Sequence, residues 1–264
     1  MTDKYAVIGH PISHSKSPLI HTLFAEQTGQ DISYEAILSP LDGFAKTIQH
    51  LRDAGYKGCN ITVPFKHEAY SLANEYSNSA SMAHAVNTFI FQHDKIHGDN
   101  TDGIGLVTDI EKNLHCKLAG KRVLLMGAGG AAHGVIGNLI QQGANIVITN
   151  RNMDKAEKLA AQFSSTAKSY TALTGEQFDI VVNATSSSLS NALPQLPQGL
   201  FRPNSLAYDM MYGKTSPFLH FAKAQDVSQV SDGLGMLVEQ AAVAFFKWRN
   251  VMPETRPVIE KLRG

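Results

Sequence analysis

Short apolar runs alternate with stretches of helical spacing along the first hundred residues. Buried strands are predicted at three of these runs, 5–8, 34–38 and 58–63. Ser17 as the N-cap and Pro18 as the first helical residue predict a helix that ends at Gly29. Apolar residues at helical spacing between 44 and 51 predict a second helix. This alternation predicts a small α/β domain.

The remainder of this part of the chain predicts a helix, a hairpin and a connection. Pro64 ends the third strand, and a helix is expected from there to about Asn74. Residues 86–97 predict a β-hairpin at a sheet edge, with its turn at 92–95. Residues 103–113 then predict a helix that leads into the second half of the chain.

The second half opens with a strand, a glycine turn and a helix. The apolar run 123–126 is followed by a turn at Gly127, a helix over 131–142 and a second strand over 145–149. This order is typical of a dinucleotide site, in which N–H groups at a helix N-terminus face a pyrophosphate. Gly127 permits the turn, and Gly129 lets phosphates approach the backbone.

The residues after the second strand distinguish between two cofactors. An NAD site carries Asp or Glu there, which accepts hydrogen bonds from the ribose hydroxyls. This chain has Asn150, Arg151 and Asn152, with Lys155 one turn into the next helix. Two cations and no carboxylate favour the 2′-phosphate of NADP. The alternative is that these residues only form a solvated helix start.

Further strands are predicted at 179–183 and 206–210, and the Ser-, Pro- and Gly-rich segment 186–203 between them is predicted to be a mobile loop. Residues 234–248 predict a strongly apolar helix. The fold class is therefore α/β with two α/β domains. A small N-terminal domain, 1–102, precedes a Rossmann-type domain, 103–233, and the cleft between them is the expected ligand site.

Composition excludes several classes of partner. Lys plus Arg and Asp plus Glu number 23 each, so no general basic field favours nucleic acid or a membrane surface. No apolar run reaches the ~18 residues that span a bilayer, and the N-terminus lacks a signal-peptide pattern. Cys59 and Cys116 are expected to be free thiols in a reducing cytoplasm. The closely spaced histidines lie in loop or hairpin sequence, so no metal site is expected.

A nicotinamide enzyme that oxidises an alcohol needs a proton-transfer group near the reacting oxygen. Lys66 lies at a helix start, where its charge opposes the helix dipole and is unfavourable for stability alone. Asp102 follows the predicted hairpin, and helix capping by Asp99 or Asp102 is the alternative role for these carboxylates.

Three short segments offer contacts for a small polar substrate. Asn60 and Thr62 share one face of a predicted strand. Hydroxyls of Ser15 and Ser17 at a helix N-terminus can bind a carboxylate. Ser17 has capping of that helix as its alternative role, and one loop can do both.

Taken together, these motifs resemble the shikimate dehydrogenase family over nearly the whole chain. The matching segments are 9–21, 60–66, 98–103, the glycine turn with Asn150 and Arg151, 208–212 and 232–240. The resemblance implies NADPH-dependent reduction of 3-dehydroshikimate to shikimate, on the route to aromatic amino acids. It also implies that a helical segment, 234–264, returns to the first domain.

The resemblance assigns roles by motif position, with Lys66 and Asp102 as the catalytic pair. The implied substrate contacts are Ser15, Ser17, Asn60, Thr62, Asn87, Tyr212 and Gln240. The implied NADP contacts are Gly127, Ala128, Gly129, Gly130, Ala131, Asn150, Arg151, Asn152, Lys155, Thr185, Ser186, Met210 and Gly233. A quinate-accepting dehydrogenase, a non-catalytic NADP-dependent sensor and a folate-pathway dehydrogenase are the alternatives. The expected state is a cytoplasmic monomer or homodimer.

Overall fold

The computed structural model describes residues 2–185, 196–213 and 216–264. The chain forms two compact units: unit 1 comprises Met1–Gly105 with Val238–Gly264, and unit 2 comprises Leu106–Leu237. Each unit contains one six-stranded sheet with helices around it. The α/β class with two α/β units is therefore confirmed.

Unit 1 begins with eleven elements in chain order. They are β1 (Asp3–Gly9), α1 (Ser17–Thr28), β2 (Ile32–Leu38), α2 (Phe44–Asp53), β3 (Gly58–Ile61), α3 (Lys66–Leu72), β4 (Glu75–Tyr76), α4 (Asn78–Ala83), β5 (Thr88–Gln92), β6 (Lys95–Asp99) and α5 (Asp102–Thr108). The strand order is β2-β1-β3-β5-β6-β4. β1 pairs in parallel with β2 and β3, whereas β5 is antiparallel to both β3 and β6.

The core of unit 1 follows the predicted apolar spacing. Phe44, Ile48 and Leu51 are the buried residues of α2, and they pack with apolar side chains of β1 and β3. One prediction is corrected here. The hairpin of β5 and β6 is not the sheet edge, because the two-residue strand β4 pairs with β6 beyond it. The helix expected after Pro64 is α3, which ends at Leu72, and the short helix α4 that follows was not predicted.

Unit 2 begins with the last three residues of α5, and the helix continues as a π-helical turn (Asp109–Asn113). Its further elements are β7 (Arg122–Met126), α6 (Gly130–Gln141), β8 (Asn145–Thr149), α7 (Met153–Gln162), β9 (Thr166–Ala167), a 3₁₀ turn (Thr171–Leu173), β10 (Phe178–Asn183), β11 (Phe201–Asp209), α8 (Pro217–Lys223) and β12 (Gln229–Ser231). All pairs are parallel, in the order β9-β8-β7-β10-β11-β12. This is the Rossmann order, with the switch point between β7 and β10.

The predicted loop 186–203 is wrong at its C-terminal end. β11 already begins at Phe201, and the register between β10 and β11 shifts before Leu206. Asn204 has a φ of +60° in this irregular part of the strand, which also contains Pro203. Such a bulge accommodates a proline that a regular central strand would not. Residues 186–195, to which the prediction of mobility applied, lie outside the described residues.

Two helices complete the chain, α9 (Leu234–Arg249) and α10 (Arg256–Arg263). α9 is the predicted apolar helix, and from Val238 onward it belongs to unit 1. α10 lies within the helical segment 234–264 that the family resemblance implied, and Val258 and Ile259 are its buried residues. In the part of the chain that is described, no helix combines the length and apolar character needed to cross a bilayer.

Candidate active site

The register of the sheet in unit 1 brings polar residues of three strands side by side. Asn60 on β3 pairs with Thr88 at the start of β5, and Thr88 pairs with Asp99 at the end of β6. Asn60, Thr88 and Asp99 are all buried. Buried polar side chains require partners, and this row lies directly beside the predicted catalytic residues.

Lys66 and Asp102, the predicted catalytic pair, form an ion pair. Lys66 Nζ lies 2.5 Å from Asp102 Oδ2, with 20% and 9% of the two side chains exposed. The other carboxylate oxygen, Oδ1, accepts a hydrogen bond from Asn87 Nδ2 at 2.9 Å. Both oxygens of Asp102 therefore bind side-chain donors, which is the arrangement of an ionised carboxylate. The geometry does not favour the alternative in which Asp102 only caps a helix.

The amide of Asn87 is held by several partners. Its Oδ1 accepts hydrogen bonds from the Thr101 N–H at 2.9 Å and from Thr88 Oγ1 at 2.9 Å. Its Nδ2 lies 3.3 Å from Gln240 Oε1 on α9, in addition to its bond with Asp102. Because a backbone N–H can only donate, this contact directs the Asn87 oxygen toward Thr101 and the nitrogen toward Asp102.

Asn60 continues the same network on β3. Its Nδ2 donates to the Asn87 carbonyl oxygen at 3.2 Å and to Thr88 Oγ1 at 3.0 Å. Its Oδ1 accepts a hydrogen bond from the Tyr34 hydroxyl at 2.7 Å. Burial raises the pKa of the Tyr34 phenol well above its ordinary value, so the phenol remains a proton donor at physiological pH.

The serine loop differs in one detail from the prediction. The N-cap of α1 is Lys16, and Ser17 is already the first helical residue, so the capping role expected of Ser17 is wrong. The Ser17 N–H instead donates to Ser15 Oγ at 3.3 Å. Ser17 is buried, and its side chain interacts with Tyr34 of the network. Thr62 lies just after β3 and is half-buried.

His21 lies behind this network in an aromatic cluster. Its fully buried ring stacks on Tyr34 with a centroid distance of 4.1 Å and an interplanar angle of 8°. Trp248, the single tryptophan of the chain, lies 5.4 Å from the same ring. Desolvation lowers the pKa of His21 to about 3 and outweighs an opposing interaction with Asn60. His21 is therefore neutral near pH 7 and supports Tyr34 as an apolar surface.

In unit 2, the glycine turn connects β7 to α6 at the switch point. Gly127 has a φ of +113°, and a Cβ there would lie 3.0 Å from the Ala184 carbonyl oxygen that follows β10. A Cβ on Gly129 would meet no described atom within 4 Å. α6 begins at Gly130 without a side-chain cap. The backbone at this helix start therefore faces open space, which fits a pyrophosphate.

The four residues expected around the 2′-phosphate lie at the end of β8. Asn152 is the N-cap of α7, and its Oδ1 accepts a hydrogen bond from the Lys155 N–H at 3.2 Å. Asn150 Nδ2 donates to the Asn152 carbonyl oxygen at 2.8 Å. The Arg151 and Lys155 side chains are exposed. The two asparagines thus shape the turn, and the two cations are the donor set that fits a phosphate.

A second pair of buried residues holds the ends of β10 and β11. Asn183 Oδ1 accepts hydrogen bonds from the Thr185 hydroxyl at 2.7 Å and from the Thr185 N–H at 3.1 Å. Its Nδ2 donates to Asp209 Oδ2 at 3.2 Å, and its carbonyl oxygen accepts from the Met210 N–H at 3.0 Å. This pair therefore places Thr185 and Met210, both expected near NADP.

Three further residues were predicted to lie in the site, and the structure describes two of them, Gly233 and Tyr212. The Gly233 N–H donates to the Met211 carbonyl oxygen, and a Cβ on Gly233 would clash with the backbone of Met210, so a glycine is required for packing. Tyr212 follows β11 in unit 2, and its contact with substrate stays a prediction. Ser186 lies outside the described residues.

The sequence did not predict the residues that support the site through hydrogen bonds to its polar side chains. They are Tyr34, Thr88, Thr101, Asn183 and Asp209. Thr101 lies inside the segment 98–103, which carries part of the family resemblance, and Thr88 follows Asn87 directly. Their roles depend on strand register, for which the sequence carries no signal. Within the described ranges, no three or more His, Cys, Asp or Glu side chains are grouped as a metal site.

Family models match three parts of the chain. Residues 7–89 match the shikimate dehydrogenase substrate binding domain, and residues 109–193 match the shikimate / quinate 5-dehydrogenase model. Residues 233–263 match the shikimate 5′-dehydrogenase C-terminal domain. The first match includes Lys66, and the third includes Gln240 on α9.

Similar proteins agree with these matches. The shikimate dehydrogenase (NADP(+)) of Methylobacillus flagellatus is 55% identical over 268 residues, which is 99% of each chain. The protein of the same name from Nitrosospira multiformis is 55% identical over 100% of this chain and 98% of its own. The structure of shikimate 5-dehydrogenase from Thermus thermophilus with NADP(H) and shikimate has a TM-score of 0.90 at 32% identity, covering 99% of each chain. An Ael1 enzyme from Pseudomonas putida has a TM-score of 0.93 at 48% identity, covering 99% of this chain and 98% of its own.

Proposed function

The chain belongs to the shikimate dehydrogenase family, and from that premise we propose how its residues carry out NADPH-dependent reduction of 3-dehydroshikimate to shikimate. The reaction is reversible and serves aromatic amino-acid biosynthesis. The observation that carries the residue assignment is the Lys66–Asp102 pair, at 2.5 Å, inside the network of Asn60, Asn87 and Gln240.

In the proposed reaction, NADPH when bound supplies the hydride that the carbonyl carbon gains. Lys66 Nζ donates a proton to the carbonyl oxygen, which becomes the hydroxyl of shikimate. Asp102 holds the ammonium group of Lys66 through Oδ2, and Asn87 holds the carboxylate through Oδ1. In the reverse direction Lys66 takes the proton from the hydroxyl. Because Lys66 supplies the proton, the proposed chemistry needs no metal.

We assign the substrate contacts by chemical type. Hydroxyls of Ser15, Ser17 and Tyr212 bind the carboxylate with neutral hydrogen bonds. The ring hydroxyls are bound by the polar side chains of Asn60, Asn87, Thr62 and Gln240. The support for this division is that Ser15 and Ser17 lie together at the start of α1, whereas Asn60, Asn87 and Gln240 belong to one hydrogen-bonded network.

Unit 2 is proposed to bind NADP, and unit 1 is proposed to supply the substrate contacts other than Tyr212. The glycine turn from Gly127 to Ala131 holds the pyrophosphate, and Arg151 with Lys155 holds the 2′-phosphate. Thr185, Ser186, Met210 and Gly233 are assigned to the nicotinamide end. The exposure of both cations, and the absence of Asp or Glu at 150–152, support NADP over NAD. We further propose a cytoplasmic monomer or homodimer, in keeping with the free thiols of Cys59 and Cys116.

The test is nicotinamide absorbance in a two-by-two assay of the purified protein, with shikimate or quinate as substrate and NADP or NAD as cofactor. We expect turnover mainly with shikimate and NADP. Comparable turnover of quinate would assign the chain to the quinate-accepting branch that one family model includes in its description. Preference for NAD would contradict the role of Arg151 and Lys155, and NADP binding without turnover would favour a sensor.

A further inference from the structure

We propose that Thr88 is a positioning residue of this reaction, whose hydroxyl bridges the Asn60 and Asn87 amides and holds them together in the orientations that the Asn87 carbonyl oxygen and the Thr101 N–H set. Through Asn87 it holds the Asp102 carboxylate in the orientation that Lys66 needs. This inference rests on the proposed function. Its basis is that Thr88 is fully buried and lies within hydrogen-bond distance of both amides.

The hydroxyl of Thr88 has one proton, and the neighbouring groups determine where it goes. Asn87 Oδ1 already accepts a hydrogen bond from the Thr101 N–H, so the Asn87 atom beside Thr88 is an acceptor. Thr88 must therefore donate its proton to Asn87 Oδ1, at 2.9 Å. The lone pairs that remain on Thr88 Oγ1 can only accept, and Asn60 Nδ2 donates to them at 3.0 Å.

The result is a line of hydrogen bonds with one direction. Asn60 donates to Thr88, Thr88 donates to Asn87, and Asn87 donates to the Asp102 carboxylate. Lys66 approaches the same carboxylate from its other oxygen. A reversal of this line at Thr88 would place two donors together at Asn60 Nδ2 and two acceptors together at Asn87 Oδ1, so the hydroxyl joins the two amides in one arrangement only.

The direction of these hydrogen bonds also limits which hydrogen bonds the Asn60 amide can form with a ligand. Both Nδ2 protons are used, one by the Asn87 carbonyl oxygen at 3.2 Å and the other by Thr88. Tyr34 donates to Oδ1 and occupies one of its two lone pairs. Asn60 therefore has no Nδ2 proton left to donate to a ring hydroxyl of the substrate.

The experiment compares Thr88→Val, which keeps the shape but removes the hydroxyl, with Thr88→Ser, which keeps the hydroxyl. Thr47→Val in α2 is the matched control, because the Thr47 hydroxyl also lies between a hydroxyl, Ser39 Oγ at 3.0 Å, and a carbonyl, Gly43 O at 3.1 Å. For each full-length protein, kcat and KM for shikimate are measured with NADP, together with thermal unfolding.

We expect kcat of Thr88→Val to fall about 10- to 100-fold, since small errors in the placement of catalytic groups have effects of this order. Thr88→Ser and Thr47→Val should stay close to the wild type. In a Lys66→Ala background, Thr88→Val should cause little further loss, because its effect acts through Lys66 and Asp102. If Thr88→Val does not fold, Thr88→Cys, whose thiol donates only weakly, replaces it with the same expectations.

Wild-type kcat for Thr88→Val would overturn the proposal, and so would a loss that is fully additive with Lys66→Ala. Failure of Thr88→Ser to restore turnover would also overturn it, since the hydroxyl would then not be the group that acts. The wild-type protein is assayed first. Absence of wild-type turnover with shikimate and NADP would refute the proposed function itself. Equal turnover by the wild type and Thr88→Val would refute only the positioning role of Thr88.

Discussion

Lys66 combines a position that is poor for helix stability with a close carboxylate partner. It is the first residue of α3, and its ammonium group lies 2.5 Å from Asp102 Oδ2. We expect Lys66→Ala to lower kcat by about 10² to 10⁴, the usual contribution of a positioned proton donor, with little change in KM. Steady-state kinetics with shikimate and NADP measure this, with the exposed Lys46→Ala on α2 as the control. A higher KM at unchanged kcat would remove Lys66 from the proton-donor role.

The low pKa of His21 predicts how the stability of the folded protein changes with pH. Its pKa is about 3 in the folded protein, against an ordinary value near 6.5. Between these values the unfolded chain binds a proton that the folded chain does not, so acid favours unfolding. This residue stabilises the fold fully above pH 6.5, and its contribution falls by up to about 1.4 kcal/mol per pH unit toward pH 3.

The measurement for His21 is the free energy of unfolding between pH 7 and pH 4. His21→Phe keeps the ring stack on Tyr34 but cannot take up a proton, so we expect its slope with pH to be smaller than that of the wild type. His50→Phe, at an exposed position of α2, serves as the control for replacing a histidine with phenylalanine. Equal slopes for the wild type and His21→Phe would show that His21 does not control acid stability.

At the scale of elements, α9 contacts the strand-end segment 99–101 at two places. Thr101 Oγ1 donates to Gln240 Oε1 at 3.2 Å, and two turns later Lys247 Nζ lies 2.5 Å from Asp99 Oδ2. Asp99 is almost fully buried, so its carboxylate depends on this cation. α9 therefore both supplies a candidate substrate ligand and neutralises the segment that leads to Asp102.

Lys247→Met keeps the packing of the side-chain stem but leaves the Asp99 carboxylate without its cation. We expect the free energy of unfolding to fall by about 1–3 kcal/mol, which is the usual cost of removing a partner from a buried polar group. Denaturant unfolding followed by Trp248 fluorescence measures this in unit 1. Lys46→Met is the control, and a Lys247→Met variant as stable as that control would contradict the role of the ion pair.

The sequence predicted those elements whose apolar spacing continues over several turns or is bounded by glycine. β7, α6 and β8 are examples, since strand, turn and helix follow one another without interruption. β4 has two residues and α4 has six, and neither is long enough to show a period. Lys66 and Asp102 could be identified because motif positions carry them. The role of Thr88 could not, because it depends on which residue of β3 lies opposite β5.

At the scale of the whole molecule, the two units should respond to different ligands. Hydrogen exchange followed by mass spectrometry tests this, because a ligand slows exchange in the part of the fold that it stabilises. Shikimate alone should protect 58–62 and 87–102 in unit 1, and NADP alone should protect 127–131 and 150–155 in unit 2. Protection of the glycine turn by shikimate alone, or of 87–102 by NADP alone, would contradict the assignment.

Unit 1 is assembled from residues 1–105 and 238–264, with all of unit 2 between them. At about 5–20 residues per second, a ribosome needs roughly 7 to 26 seconds to add the intervening residues. During that interval the sheet of unit 1 has left the ribosome without α9 and without Trp248, whose indole N–H donates to the Phe89 carbonyl oxygen. The nascent chain thus completes the sequence of unit 2 before that of unit 1, and the strands of unit 1 lack the packing of α9 until residues 238–264 have been added.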